Sequence, residues 1–357
     1  MKNDLELIKK LSLAFGPSGM EDEVREMIYE EIAPYAEDIR RDAGGNLIAF
    51  FKAKESNSPT LMLSAHMDEV GFMISGIEEC GVLRFSCVGG IDVSVMPGRC
   101  VTIYGHDKNK INGVIASKAI HLQKKDEQSA PITRDKLYID IGVDSKEQAE
   151  ELVEIGDCAV FDSDFVVFGD GGNKIKGKAL DDRMGCAMLI ELLKRLSREG
   201  TPERLNVAIC FTTREETGLS GATVAANGLS PDFAIILETT AVADLPNVEK
   251  KKRVAILGRG GALSLLDRGT IYDEQLLSLA KSYSDEIPVQ LKEFVSGGND
   301  SRHIQQTNDG CRVLALSAPT RYLHSASCVL DLRDCEAMDK LMYRLIHDLG
   351  EGAVKGR

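Results

Sequence analysis

The chain reads as an α/β protein with a smaller β-rich domain inserted into it. Three observations predict this. Apolar runs suited to buried strands alternate with amphipathic helical stretches toward both ends of the sequence. Between about Met67 and Asp164 the texture changes to short strands separated by turn signals. At 357 residues the chain is also too long for one small core. The expected division is a larger domain over 1–66 and 165–357 and an insert over 67–164.

Residues 3–38 read as a helical pair, with Leu5, Ile8 and Leu11 on one face and Gly16-Pro17-Ser18-Gly19 breaking the run. Strands are expected at 46–51, after the Gly44-Gly45 turn, and at 60–65, which leads straight into His66-Met67-Asp68. In the insert, strands are expected at 82–87, 99–104 and 113–116. One short helix there is opened by the capping pair Ser145 and Gln148. Beyond Gly169-Asp170-Gly171-Gly172 the alternation returns. An apolar helix over 183–196 is followed by strands at 207–211, 233–237 and 311–316 and helices near 272–284 and 334–348. Met338, Leu341, Met342 and Leu345 form the buried stripe of the last helix.

Composition excludes several function classes. A net charge of −13 repels phosphate backbones and anionic lipid surfaces, so neither nucleic acid nor membrane is an expected partner. No apolar run reaches membrane length, and Met1-Lys2-Asn3-Asp4-Leu5-Glu6 lacks the profile of a signal peptide, so the expected compartment is the cytoplasm. Nine cysteines are scattered without a CxxC, which argues for reduced, mostly core-filling thiols and against a thiolate zinc site.

Several strand ends carry metal-ligand residue types. His66 and Asp68 follow one strand, and their alternation places a carboxylate beside an imidazole. Asp181-Asp182 opens the apolar helix, where one of the two is expected to cap. Glu215-Glu216 follows the run Val207 to Phe211, Glu238 follows strand 233–237, and His324 follows Arg321-Tyr322-Leu323. Parallel strands bring their carboxyl ends to one edge, which is where open α/β sheets bind ligands. If Asp181, Glu215, Glu216 and Glu238 converge there, two unit charges about 4 Å apart repel by roughly 4 kcal/mol at an effective dielectric of about 20. Such a cluster needs a cation. Imidazole and carboxylate donors without thiolate suit zinc, with cobalt or manganese as substitutes. Two histidines and three acids hold two metals if one carboxylate bridges, which leaves Glu215 free to accept a proton from water. As neighbours in an extended segment, Glu215 and Glu216 are expected to point in different directions. There is no His-Glu-x-x-His, so the helical one-zinc protease design is absent.

His66-Met67-Asp68-Glu69-Val70-Gly71, Ala179-Leu180-Asp181-Asp182-Arg183, Arg214-Glu215-Glu216-Thr217-Gly218, Gly297-Gly298-Asn299-Asp300 and Arg321-Tyr322-Leu323-His324-Ser325 stand in an order that resembles the M42 family of glutamyl and deblocking metallo-aminopeptidases. The resemblance spans nearly the whole chain. It implies a zinc-exopeptidase-like three-layer α/β domain with an inserted PDZ-like or barrel dimerisation domain, and twelve subunits in a hollow tetrahedral particle. It also implies two divalent metals per subunit, with Asp181 bridging, His66 and Glu238 completing one site and Glu216 and His324 the other. Glu215 becomes the general base, Asp68 orients His66, and the Asp181-Asp182 linkage is unusual. Glu238 departs from many relatives, which have Asp there.

The expected activity is removal of N-terminal residues from peptides. An N-acyl amino acid deacylase with the same metal chemistry and, below it, an endoglucanase are the alternatives. Gly258-Arg259-Gly260-Gly261 and Ser296 to Asp300 are candidates for the side-chain pocket. His106, His121, His303 and His347 receive no role; His347 is expected at the surface and His121 on a loop leaving the insert.

Overall fold

A computed structural model of the chain describes residues 4–249, 252–292, 295 and 297–356. Two β structures organise them. The first is an eleven-stranded sheet, and the second a closed barrel of six strands.

The chain opens with α1 (Leu5–Leu13) and α2 (Asp22–Ile32), then β1 (Ile39–Arg41), β2 (Leu47–Phe51) and β3 (Thr60–His66). The barrel strands follow: β4 (Gly71–Ile77), β5 (Leu83–Val88), β6 (Cys100–Tyr104), β7 (Lys110–Ser117), β8 (Leu137–Asp140) and β9 (Cys158–Phe161). Two short helices, α3 (Lys125–Ser129) and α4 (Lys146–Glu150), lie between them, where the sequence predicts one. In α4 the Ser145 side chain accepts from the Gln148 amide, and Gln148 answers by accepting from the Asp144 amide. Phe72 is buried in the core of the barrel, edge-on to both Phe85 and Phe161.

The main sheet then resumes with β10 (Val166–Phe168) and β11 (Lys174–Gly177), α5 (Leu180–Glu199), β12 (Asn206–Thr212), α6 (Ser220–Leu229) and β13 (Phe233–Ala241). It finishes with β14 (Gly261–Ser264), α7 (Glu274–Ser282), β15 (Val289–Lys292), α8 (Ser301–Ile304), β16 (Arg312–Arg321), β17 (Cys328–Asp331) and α9 (Leu332–Gly350). The order across the sheet is β1-β2-β12-β3-β13-β16-β17-β11-β10, with β14 and β15 branching from β16. β12, β3, β13 and β16 are mutually parallel, so their carboxyl ends share one edge. These central strands are buried on both faces, which is why they read as unbroken apolar runs. α5 packs on β3 and β13 and touches α9, while α6 and α8 pack together on β12, β3, β13 and β16. The result is the three-layer arrangement that the sequence predicts.

Two boundaries differ in ways that affect the site. β13 runs to Ala241, not Leu237, because Thr239, Thr240 and Ala241 continue in register with Ala318, Pro319 and Thr320 of β16. Glu238 therefore lies within a strand. The α5 segment begins at Leu180, but Asp181 and Asp182 have non-helical backbones. Regular helix starts at Arg183, with the Asp182 Oδ1 accepting from the Gly185 amide at 3.0 Å as a cap. No helix among the described residues is long and apolar enough to cross a membrane.

Candidate metal centre

β3 delivers His66 at its last position, opposite Thr212 of β12. Glu238 stands two residues past the last pairing of β13 with β3, level with Ser317 of β16. From the head of α5, beside a cis peptide to Asp182, comes Asp181. His324 follows β16 in a turn where it and Tyr322 both have positive φ.

These side chains converge. The Nε2 of His66 is 3.4 Å from Asp181 Oδ1 and 3.6 Å from Glu238 Oε1. On the other side of Asp181, His324 Nε2 is 3.2 Å from Asp181 Oδ2 and 3.2 Å from Glu216 Oε1. Two donor triads thus adjoin, His66-Asp181-Glu238 and Asp181-Glu216-His324, and Asp181 belongs to both. Glu215 lies with His66 and Glu216 in a third grouping.

Glu215 and Glu216 do not lie in the extended segment that the sequence suggests. The segment is a turn, not an extended strand: Arg214 has φ 55°, and the amides of Gly218 and Leu219 both donate to the Glu215 carbonyl. Asp68 holds this turn. Its Oδ1 accepts from the Glu215 amide at 3.0 Å and its Oδ2 from the Glu216 amide at 3.1 Å, and the Ser18 hydroxyl also donates to it. The carboxylate is 3.4 Å from His66 Nδ1, whereas the backbone carbonyl of Asp68 is nearer at 3.1 Å. Asp68 therefore braces His66 mainly through its main chain and the Glu215-Glu216 turn through its side chain.

The electrostatics follow from crowding in a desolvated place. Burial and the Asp181 charge push Glu238 up to about 8. Burial likewise lifts Glu215 well above the usual carboxylate range and raises Glu216. Although burial opposes it, the adjoining carboxylates of Asp181 and Glu216 push His324 up to about 12, and the proximity of His324 and His66 holds Asp181 well below its ordinary value.

The donors fit divalent metal. Tetrahedral ligands at zinc distances of about 2.0–2.1 Å lie about 3.3 Å from one another, and the four separations across the triads run from 3.2 to 3.6 Å. Asp181 Oδ1 and Glu216 Oε1 are buried without a hydrogen-bond partner, although buried carboxylate oxygens ordinarily have one. No cysteine belongs to either triad.

Some contributors carry no local signal in the sequence. Ser18 and Gly90 are two, the latter through its carbonyl, 2.7 Å from His324 Nδ1. Asp300, in the Gly297-Gly298-Asn299-Asp300 segment, is buried and accepts from Thr212 at the end of β12, and is pushed up to about 6 by burial. Ser296, at the start of that candidate pocket segment, lies outside the described residues. His121 is exposed, while His347 is half-buried and edge-on to Tyr343 instead of free at the surface. A cavity of about 660 Å³ beside Lys9, Lys110 and Lys178 is lined by none of the triad residues.

A mixed sheet whose parallel central strands gather, at their carboxyl edge, two histidine-carboxylate triads around a shared aspartate has the arrangement of a metal-dependent hydrolase of the zinc-exopeptidase type. The pattern of the M42 glutamyl aminopeptidase family matches residues 45–341, and the chain belongs to that family of peptidases. It is 35% identical over 338 residues to the putative aminopeptidase FrvX of Escherichia coli, covering 94% of this chain and 92% of the relative. The TET aminopeptidase from a marine-sediment Thaumarchaeota archaeon superposes with TM-score 0.93 at 34% identity, covering 99% of each chain. The TET1 peptidase of Pyrococcus horikoshii, which can assemble into a tetrahedron or a large octahedral shell, superposes with TM-score 0.84 at 35% identity, covering 96% of this chain and 98% of that one.

Proposed function

We propose that the protein removes N-terminal residues from peptides with two divalent metal ions per subunit, zinc being favoured by the donor set and cobalt or manganese able to substitute. The observation that carries this reading is the sharing of Asp181 between two triads while Glu215 stands beside both. In this reading His66 and Glu238 would hold one ion and Glu216 and His324 the other, with Asp181 available to both. When bound, such ions polarise a scissile carbonyl and acidify water. Glu215 accepts the proton of the attacking water at its carboxylate and returns it to the departing amine. Asp68 fixes where that carboxylate stands by holding the Glu215 amide. The deacylase and endoglucanase alternatives have no feature of the site in their favour.

We assign the catalytic domain to 1–66 and 165–357 and the dimerisation domain to 67–164, within which the barrel strands from Gly71 to Phe161 all lie. The subunits form a homo-oligomer, with a dodecamer built from dimers as the expected form, by analogy with the tetrahedron reported for the Pyrococcus horikoshii relative. Residence in the cytoplasm rests on the cysteines, six of which are buried and none of which is in a disulfide.

The test is Glu215→Gln. It should retain the metal content of the parent, measured by elemental analysis, and lose at least about 100-fold in kcat on aminoacyl-anilides, the scale of general-base catalysis. Parent-like turnover of that variant on a panel of aminoacyl substrates contradicts the assignment.

A further inference from the structure

Arg183 directly follows the Asp181-Asp182 pair and is fully buried. A guanidinium carries five N–H donors, no acceptor and a permanent charge, so it can be buried only where its donors are matched. Here they are. Nε donates to the Met67 carbonyl at 2.5 Å, and Nη1 to the carbonyls of Leu11 at 2.6 Å and Ala14 at 3.4 Å. Nη2 donates to the Gly16 carbonyl at 3.2 Å and to Glu69 Oε1 at 3.4 Å. Leu11 and Ala14 stand at the end of α1, where helix carbonyls lack intrahelical partners and a cation meets the negative end of the helix dipole.

Glu69 is the counter-charge. Its Oε1 also takes Lys178 Nζ at 2.6 Å, and Lys178 reaches the Ala14 carbonyl at 2.8 Å. The Glu69 main chain is tied to the same stretch, its amide donating to the Gly16 carbonyl at 3.0 Å and its carbonyl accepting from the Ser18 amide at 3.3 Å. Lys178 and Arg183 flank Asp181 in sequence, while Met67 and Glu69 interleave with His66 and Asp68. The cluster therefore grips both segments that supply the shared aspartate and the first histidine. Gly16 marks how closely the parts approach, since a Cβ there would lie 2.7 Å from Arg183 Nη2 and 2.8 Å from Val24 Cγ2. Buried ion pairs are poor sources of net stability, because desolvation offsets their attraction, so stability alone is a weak reason for this one.

We propose that Arg183, with Glu69 as its counter-charge, is a positioning residue for the metal centre, locking the His66–Asp68 segment against Asp181. The inference rests on the proposed function, because it takes those residues to be ligands and their braces. Loss of the cluster loosens the spacing between His66 and Asp181 without removing any donor atom.

The experiment titrates Co²⁺ into metal-free full-length protein, followed by visible absorption against a competing chelator, alongside metal-free thermal midpoints and kcat and KM. The variants are Glu69→Gln, Gly16→Ala, Arg183→Lys and Arg183→Met. Glu69→Gln and Gly16→Ala should bind Co²⁺ roughly 10–100-fold more weakly, as altered supporting contacts do at metal sites, with a changed absorption spectrum and a fall in kcat larger than any change in KM. Arg183→Lys, which keeps the charge but not the fork, should recover only part of what Arg183→Met loses. If the Arg183 variants fail to fold, the other two carry the test, since both retain the guanidinium. Parent-like affinity and spectrum in Glu69→Gln and Gly16→Ala, even with lowered thermal midpoints, overturn the proposal and leave the cluster a folding element. A parent that binds no Co²⁺ overturns the metal reading itself, a result that these two variants cannot imitate.

Discussion

His324 Nδ1 lies 2.7 Å from the carbonyl oxygen of Gly90, 234 residues away in sequence, so a backbone group of the segment following β5 fixes the ring that stands between Asp181 and Glu216. With Nδ1–H donating to that carbonyl, the lone pair of Nε2 faces the two carboxylates, the tautomer a metal ligand requires. The barrel side of the molecule thus contributes to the candidate site without supplying any of its donors.

Gly89 tests that contribution. It has φ 82°, and a Cβ would meet Val70 Cγ1 at 2.8 Å and Glu216 Cβ at 3.3 Å. Gly98 has a similar φ of 77° but open space around it. Gly98→Ala should cost only the left-handed penalty of about 1–2 kcal/mol. Gly89→Ala should cost more in denaturant unfolding and also weaken divalent-metal binding, read by chelator competition, through displacement of Glu216 and His324.

Asp68 accepts two amides and a hydroxyl from one buried carboxylate. Asp68→Ala strands the Glu215 and Glu216 amides, a cost of about 1–3 kcal/mol each. The expected outcome is reduced stability together with a kcat loss, because the turn carrying Glu215 is released. Ser18→Ala removes one donor and should cost about 1 kcal/mol, with little effect on kcat. Chemical denaturation and steady-state kinetics on the two variants check this ordering.

The strands were more legible in the sequence than the turns between them. Residues 207–211 and 60–65 announce themselves because a strand buried on both faces must be apolar throughout. The extension of β13 past Glu238 is hidden, since Thr239 and Thr240 are polar and become strand only through pairing with β16. The Arg214 turn is also hidden, because a left-handed arginine has no residue signature. The positions of His66, Asp181, Glu216, Glu238 and His324 could be singled out from strand ends and order, while their grouping into triads drew on family resemblance. Ser18, Gly90, Arg183 and Asp300 take part through tertiary contacts of long sequence separation, which local pattern does not encode.

Asp334 gives a pH signature away from the triads. It is fully buried, accepts the amides of Gly258 at 2.7 Å and Gly260 at 2.6 Å, and is pushed up to about 7, chiefly by burial. A carboxyl whose folded pKa exceeds its unfolded value binds its proton more tightly when folded, so its contribution to stability is lost as pH rises from about 4 through 7. Asp334→Asn removes that loss. Its unfolding free energy relative to the parent should improve by roughly 2–3 kcal/mol between pH 5 and pH 8, measured by denaturant titration at each pH. A constant difference across that range contradicts the charge account.

If Asp181 serves two adjoining metal sites, the number of ions held per chain shows it. Metal-loaded protein, freed of excess ion and weighed by native mass spectrometry, should carry two divalent ions per chain. His66→Ala and His324→Ala should each hold one ion tightly, and Asp181→Ala neither. A parent that holds no more than one ion, or an Asp181→Ala variant that keeps two, contradicts the account.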